Sequence, residues 1–130
     1  RDVDQVDIAV VEDDSALAEL LTHSLSTQGW SVRVLDDGPT AVGALAGEPP
    51  LVRARLVLLD WDLPGLDGLA VLRRLRERGV LAQTKVVMLT ARDSETEVLK
   101  ALELGATDHV AKPFSVPVLL QKVRQVIGAR

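Results

Sequence analysis

The sequence predicts an α/β fold: a doubly wound, five-stranded parallel sheet in the order 2-1-3-4-5, with helices on both faces. Three observations carry this. Short apolar runs alternate with helix-like stretches five times over the 130 residues. The clearest runs, Val57-Leu58-Leu59 and Val86-Val87-Met88-Leu89, are continuous rather than alternating, as in strands buried on both faces. Successive runs are separated by helix-length returns, which parallel neighbours require. The order 2-1-3-4-5 is the flavodoxin-like solution, and it sets the carboxyl ends of strands one, three, four and five side by side.

The elements follow in order. Residues 7–11 form the first strand, running into Glu12-Asp13-Asp14. Residues 15–28 form a helix with Leu17, Leu20, Leu21 and Leu25 at helical spacing, capped by Asp14 or Ser15 and ended by Gly29. Residues 31–35 are the second strand. Asp37-Gly38-Pro39 opens a small helix through about Ala46, Pro suiting the first turn. Glu48-Pro49-Pro50 breaks it, and a loop is expected through Arg55. The third strand, 56–60, ends on Asp60 in an acidic turn rich in Pro and Gly, Asp62-Leu63-Pro64-Gly65. A helix over 68–78 turns Leu69, Leu72 and Leu75 inward and Arg73, Arg74, Arg76 and Arg78 to solvent. Residues 85–90 are the fourth strand. Ser94-x-x-Glu97 is a capping box for a helix ending near Gly105. Residues 108–111 are the fifth strand, and Ser115 caps a last helix striped by Val116, Leu119, Leu120, Val123 and Ile127.

Composition narrows the function. One domain over 1–130 is expected from the length. There is no Cys, so neither a disulfide framework nor a thiolate metal site is available. Fifteen Lys and Arg against nineteen Asp and Glu give a net charge of −4, which argues against a nucleic-acid surface. No apolar run is long enough for a membrane span, and the polar start is unlike a signal peptide, so a cytoplasmic location is expected.

The strand ends carry the chemistry. They bring together Glu12 and Asp13, Asp60, Thr90, and Lys112. Two unit charges about 4 Å apart repel by about 4 kcal/mol at an effective dielectric of 20, so clustered carboxylates call for a cation. Hard carboxylate oxygens suit Mg²⁺. A carboxylate can also attack phosphorus to give an aspartyl-phosphate, with the metal and Lys112 offsetting charge and Thr90 donating a hydrogen bond. Each residue alone has a plainer explanation as a helix cap, a turn or a solvated side chain. Their joint placement at the predicted strand ends is what singles them out.

Over residues 6–127 the chain resembles the receiver domain of two-component response regulators. The motifs that carry the resemblance are Val10-Val11-Glu12-Asp13-Asp14, Leu58-Leu59-Asp60-Trp61-Asp62-Leu63-Pro64-Gly65-Leu66-Asp67-Gly68, Leu89-Thr90-Ala91 and the run from Gly105 through Lys112-Pro113-Phe114. The resemblance implies a signalling receiver rather than an enzyme, assisting only its own phosphorylation and dephosphorylation. It implies that Asp60 accepts a phosphoryl group from a histidine kinase, that Asp13, Asp60 and the backbone carbonyl of Asp62 bind Mg²⁺ with help from Glu12, and that Thr90 and Lys112 contact the phosphoryl oxygens. It also implies a cis bond between Lys112 and Pro113. Its partners would be a kinase, an output domain or downstream protein controlled by the strand 4, helix 4, strand 5, helix 5 face, and a homodimer through helix 4, strand 5 and helix 5. Lys100, Asp108 and Lys122 match that dimer's positions, whereas Val118 stands where an acid is expected.

Two features are particular to this chain. The position usually held by Tyr or Phe in the family's strand five is His109 here, with a polar edge, and it is expected to couple to Thr90. Asp62 and Arg92, each two residues beyond a site residue, are expected to border the path of the water that hydrolyses the aspartyl-phosphate. The main alternative is a haloacid-dehalogenase-like phosphohydrolase with Asp60 as nucleophile. It fits less well, because no Asp or Glu follows Asp108 and Pro64 stands where that family favours Thr or Val. A receiver fold that only binds partners conflicts with the complete set of site residues, and no P-loop motif is present.

Overall fold

The computed structural model describes residues 3–91 and 94–129. Its elements are β1 (Asp4–Val11), α1 (Ser15–Thr27), β2 (Val32–Leu35), α2 (Gly38–Ala46), β3 (Val52–Asp60), α3 (Gly68–Glu77), β4 (Lys85–Thr90), α4 (Glu95–Glu103), β5 (Asp108–Ala111) and α5 (Val116–Ile127), with a 3₁₀ turn at Val80–Ala82. The strands are all parallel and ordered β2-β1-β3-β4-β5, as the alternation predicts. The reversal of winding between β1 and β3 leaves the carboxyl ends of β1, β3, β4 and β5 adjacent.

Each sheet face carries its own core. On one face Ala9, Val11, Val57, Leu59 and Met88 pack against α2, α3 and α4 through Ala41, Leu45, Leu72, Leu75 and Ala101. On the other, Ile8, Val10, Leu56, Leu58 and Leu89 pack against α1 and α5 through Leu21, Leu25, Leu119 and Val123. Strands covered on both sides need apolar residues at every position, hence the continuous runs. The helices start where side-chain acceptors meet their free N–H groups: Asp14 for Ala16 and Leu17, Asp37 for Thr40, Asp67 for Ala70, Ser94 for Glu97 and Ser115 for Val118. Arg73, Arg74 and Arg76 of α3, and Arg78 just past its end, are exposed, as the amphipathic pattern requires. Among the described residues no helix is long and apolar enough to cross a membrane.

The structure corrects the sequence reading at the amino ends of two strands. β1 begins at Asp4 rather than Asp7, and β3 begins at Val52, where a loop was expected through Arg55. The added residues pair with one another, Asp4 with Val52, Gln5 with Arg53 and Val6 with Ala54, before the ladder resumes at Ile8 and Leu56. At this step Asp7 and Arg55 are tied to other elements. The Asp7 N–H donates to Ser31 Oγ at 2.8 Å, and its carboxylate accepts from Ser31 N at 2.9 Å. Arg55 Nη1 stands 3.5 Å from the same carboxylate, and its Nη2 donates to Ile127 O at 2.6 Å.

Side-chain alternation shifts across this step. Val52 and Ala54 join the core of Val57 and Leu59, although strict alternation would place them with Leu56 and Leu58. A short parallel ribbon therefore extends below the sheet. β4 begins opposite Leu56, so it does not flank this extension.

Candidate phosphoryl site

The strands deliver the site residues by running out of sheet. β1 ends at Val11 and leaves Glu12 and Asp13 at its tip; β3 and β4 end on Asp60 and Thr90 themselves; β5 ends at Ala111, one residue before Lys112. Asp60 and Glu12 are almost fully buried, at 3% and 1% exposure, and Thr90 is at 1%. Asp13 is exposed. One carboxylate oxygen from each of Glu12, Asp13 and Asp60 lies within 4.8 Å of the others.

Lys112 holds this cluster together. Its Nζ donates to Asp60 Oδ1 at 3.0 Å and to Glu12 Oε1 at 3.2 Å. The strand ladder fixes where it can reach, because Lys112 N donates to Thr90 O at 2.9 Å. The peptide bond to Pro113 is cis, as the resemblance implies. Asp60 Oδ1 also accepts from Asp62 N at 3.4 Å, and Glu12 Oε2 accepts from Asp14 N at 3.1 Å.

Two glycines shape the turn beyond Asp60. A Cβ on Gly68 would lie 2.2 Å from the Asp60 carbonyl oxygen and 2.7 Å from Trp61 Cα. Gly68 N also donates to Trp61 O at 2.7 Å. Gly38 lies as close to the far side, since its Cβ would lie 2.0 Å from Leu66 O. The turn is thus pinned between the starts of α2 and α3, with Trp61 buried beside Asp60.

The electrostatics are those of a negative site short of cations. Burial pushes the Glu12 carboxyl up to about 7; the Asp14 N–H opposes this, while the Asp60 charge adds to it and Lys112 opposes it. Burial acts to lower the Lys112 pKa, but its bond to Asp60 and the charges of Asp60 and Glu12 raise it overall, so it stays an ammonium. One ammonium faces a cluster of carboxylates. That donor set, hard oxygens with excess negative charge, fits a divalent cation such as Mg²⁺.

Among the remaining sequence candidates, Asp62 is exposed and tied to Asp60 through its N–H. His109 is half-exposed on β5, its Nδ1 3.7 Å from Asp108 Oδ1. The pairing of Met88 with His109 and of Thr90 with Ala111 places His109 on the same sheet face as Thr90. Arg92 lies outside the described residues. Sequence reasoning passed over Gly68 and Gly38 as supports of the site; the signal was a Gly at a helix start flanking an acidic turn.

The comparisons with known proteins agree with this arrangement. The family model described as "Response regulator receiver domain" matches residues 8–124. The phosphate regulon transcriptional regulatory protein PhoB of Rhizobium meliloti is 41% identical over 120 residues, covering 92% of this chain and 51% of that protein. The sensory transduction protein RegX3 of Mycobacterium tuberculosis is 40% identical over 120 residues, covering 92% of this chain and 50% of that protein. The chain thus spans about half the length of the curated relatives it matches. Among solved structures, the receiver domain of a Syntrophus aciditrophicus signal transduction histidine kinase superposes with a TM-score of 0.81 at 32% identity, covering 94% of this chain and 89% of that one. The receiver domain of a Pseudomonas aeruginosa sensor histidine kinase, solved with magnesium coordinated in its active-site cleft, gives 0.80 at 26% identity, covering 98% and 100%. The family match gives no support to the haloacid-dehalogenase alternative. The chain belongs to the receiver-domain family of two-component response regulators.

Proposed function

We propose that the chain is a phosphoryl-accepting switch with Asp60 as acceptor. A carboxylate oxygen of Asp60 attacks the phosphorus of a phosphohistidine on a partner kinase, the P–N bond breaks, and the imidazole leaves with the bonding electron pair. Lys112, 3.0 Å from Asp60, transfers its hydrogen bond to a phosphoryl oxygen as charge moves outward. Thr90 donates to another phosphoryl oxygen. Glu12, Asp13, Asp60 and the backbone carbonyl of Asp62 would hold Mg²⁺, which supplies positive charge between the acceptor and the incoming group. The observation that carries this reading is the nearly buried Asp60 ion-paired to Lys112 beside two further carboxylates.

Trp61 supplies the test. Its fluorescence is expected to quench with Mg²⁺ and to change again with beryllofluoride, and Asp60→Asn removes the second change. A beryllofluoride response that survives Asp60→Asn rules out Asp60 as acceptor.

The output face in this reading is β4, α4, β5 and α5. It controls an output domain or a downstream protein, and it is where two copies of the chain would pair. Leu99, Leu102 and Val118 are exposed apolar side chains on α4 and α5, which supports a docking role. Lys122 and Asp108, two of the matching charged positions, pair within the chain at 2.6 Å. His109 is the switch residue on the Thr90 face. It predicts a smaller helix shift on phosphorylation in His109→Ala than in the parent. Asp62→Asn and Arg92→Ala are expected to change the aspartyl-phosphate lifetime.

A further inference from the structure

The loop from Trp61 to Gly68 carries the Asp62 carbonyl, and α2 braces it from outside the site. At the base of the loop Gly68 N donates to Trp61 O at 2.7 Å. Within it Leu66 N donates to Pro64 O at 2.9 Å, turning the chain over Gly65, whose φ of 79° is left-handed. The Leu63 and Leu66 side chains pack half-buried on the core under α2 and α3. The outer brace is the first turn of α2. Gly38 N donates to the Pro64 carbonyl at 3.4 Å. A Cβ on Gly38 would overlap the Leu66 carbonyl oxygen and lie 2.7 Å from Leu66 Cβ, and a Cβ on Gly65 would lie 3.0 Å from Pro39 Cδ. At Gly38 backbone meets backbone, with no flexible side chain between them to absorb a change.

Asp62 stands two residues before Pro64, and its N–H is tied to Asp60 Oδ1 at 3.4 Å. Its carbonyl is thus held between that bond on one side and the α2 brace on the other. Mg²⁺ tolerates little misalignment, since it demands near-octahedral oxygens at about 2.0–2.1 Å, whereas Ca²⁺ accepts irregular ones at about 2.3–2.6 Å. A methyl at Gly38 must push the Leu66 carbonyl aside, and the displacement runs back along the loop toward Asp62. Gly43, on the same helix, has nothing within 4 Å of where its Cβ would lie, so α2 itself can take a methyl.

We propose that the first turn of α2 aims the Asp62 carbonyl, with Gly38 and Pro39 as positioning residues for the cation site, a role that rests on the reading of Asp62 as a ligand. The metal-free chain is titrated with Mg²⁺ and with Ca²⁺. Trp61 fluorescence gives the affinity, and the amide of Leu63, bonded to the Asp62 carbonyl carbon, reports ligation through its chemical shift. Gly38→Ala is expected to weaken Mg²⁺ about tenfold, to weaken Ca²⁺ by less than about threefold, and to diminish the Leu63 shift. Gly43→Ala is expected to bind both ions as the parent does. Pro39→Ala, which removes only the ring beside Gly65, is expected to weaken Mg²⁺ about threefold, and it carries the test if Gly38→Ala does not fold. A parent whose Leu63 amide does not respond to Mg²⁺ overturns the reading of Asp62 as a ligand and the positioning role with it. Where the parent responds, the positioning role alone is overturned by parental Mg²⁺ affinity in Gly38→Ala (or in Pro39→Ala, should the first not fold), by equal losses of Mg²⁺ and Ca²⁺, or by the same loss in Gly43→Ala.

Discussion

Asp7 and Asp60 are both buried aspartates on adjacent strands, one at each end of the sheet, and they are solvated in opposite ways. Asp7 is 6% exposed and is surrounded by donors: Ser31 N, Ser31 Oγ and the Arg55 guanidinium. Asp60 is 3% exposed and shares a single ammonium with Glu12, while Asp13 stands close by. Burying a carboxylate costs free energy unless donors replace water. The first arrangement meets that cost within the fold and ties strands together. The second leaves negative charge in excess at a cost in stability, a donor set that fits a divalent cation and suits the phosphoryl chemistry proposed for it.

The largest expected effect separates the two aspartates by function. Asp60→Asn abolishes phosphoryl acceptance, measured by phosphoprotein mass spectrometry, and leaves thermal stability equal or higher because it removes like-charge repulsion. Asp7→Asn keeps acceptance within about twofold but lowers stability by about 2 kcal/mol, the scale of a buried donor set left short of its acceptor. Equal stability losses in the two variants would erase the distinction.

Gly68→Ala comes next. Its Cβ would drive into the Asp60 carbonyl and Trp61 Cα, and backbone offers little relief. A loss of about 3 kcal/mol in urea unfolding is expected, with Trp61 fluorescence altered in the folded state.

The pH dependence sharpens the comparison from the other side. Glu12 titrates near 7 in the fold and near 4.5 when unfolded, so the folded state holds the extra proton between those values. Metal-free stability from this group is therefore full below about 4.5 and falls as pH rises through 7, by at most about 3 kcal/mol. Mg²⁺ reverses the decline, its stabilising effect growing with pH, and Glu12→Gln flattens it. Asp108 acts in the other direction: burial opposes its charge, but Lys122 and the His109 N–H lower its pKa, so its contribution is lost only as pH falls through the acidic range. Chemical denaturation with and without Mg²⁺ across pH 5–8 isolates the Glu12 effect.

The smallest effect belongs to the basal ribbon. Thr84→Val leaves the Ala54 carbonyl without its hydroxyl donor and costs about 1 kcal/mol, with phosphoryl acceptance unchanged.

Much of the site was legible in the chain because a doubly wound sheet makes position along a strand equivalent to position in space. Once Val11, Asp60, Thr90 and Ala111 are read as strand ends, Glu12, Asp13, Asp60, Thr90 and Lys112 must share an edge. The cap positions were legible too, since a side-chain acceptor next to free N–H groups is a local matter. The ribbon was not, because Val52-Arg53-Ala54-Arg55 offers only two alternations and carries charges that read as loop.

By itself the sequence determined the alternation of strands and helices, the two-sided burial of the sheet and the acidic, lysine-bearing edge, all consequences of local pattern and spacing. Only the tertiary structure decided that Glu12 is buried while Asp13 is exposed, that Asp7 bonds Ser31, and that the strand alternation shifts beside it. It alone decided that β1 and β3 run on together below the other strands. Those outcomes depend on which donors and carboxylates meet across the sheet, between residues as far apart as Glu12 and Lys112, and no local pattern encodes such distances.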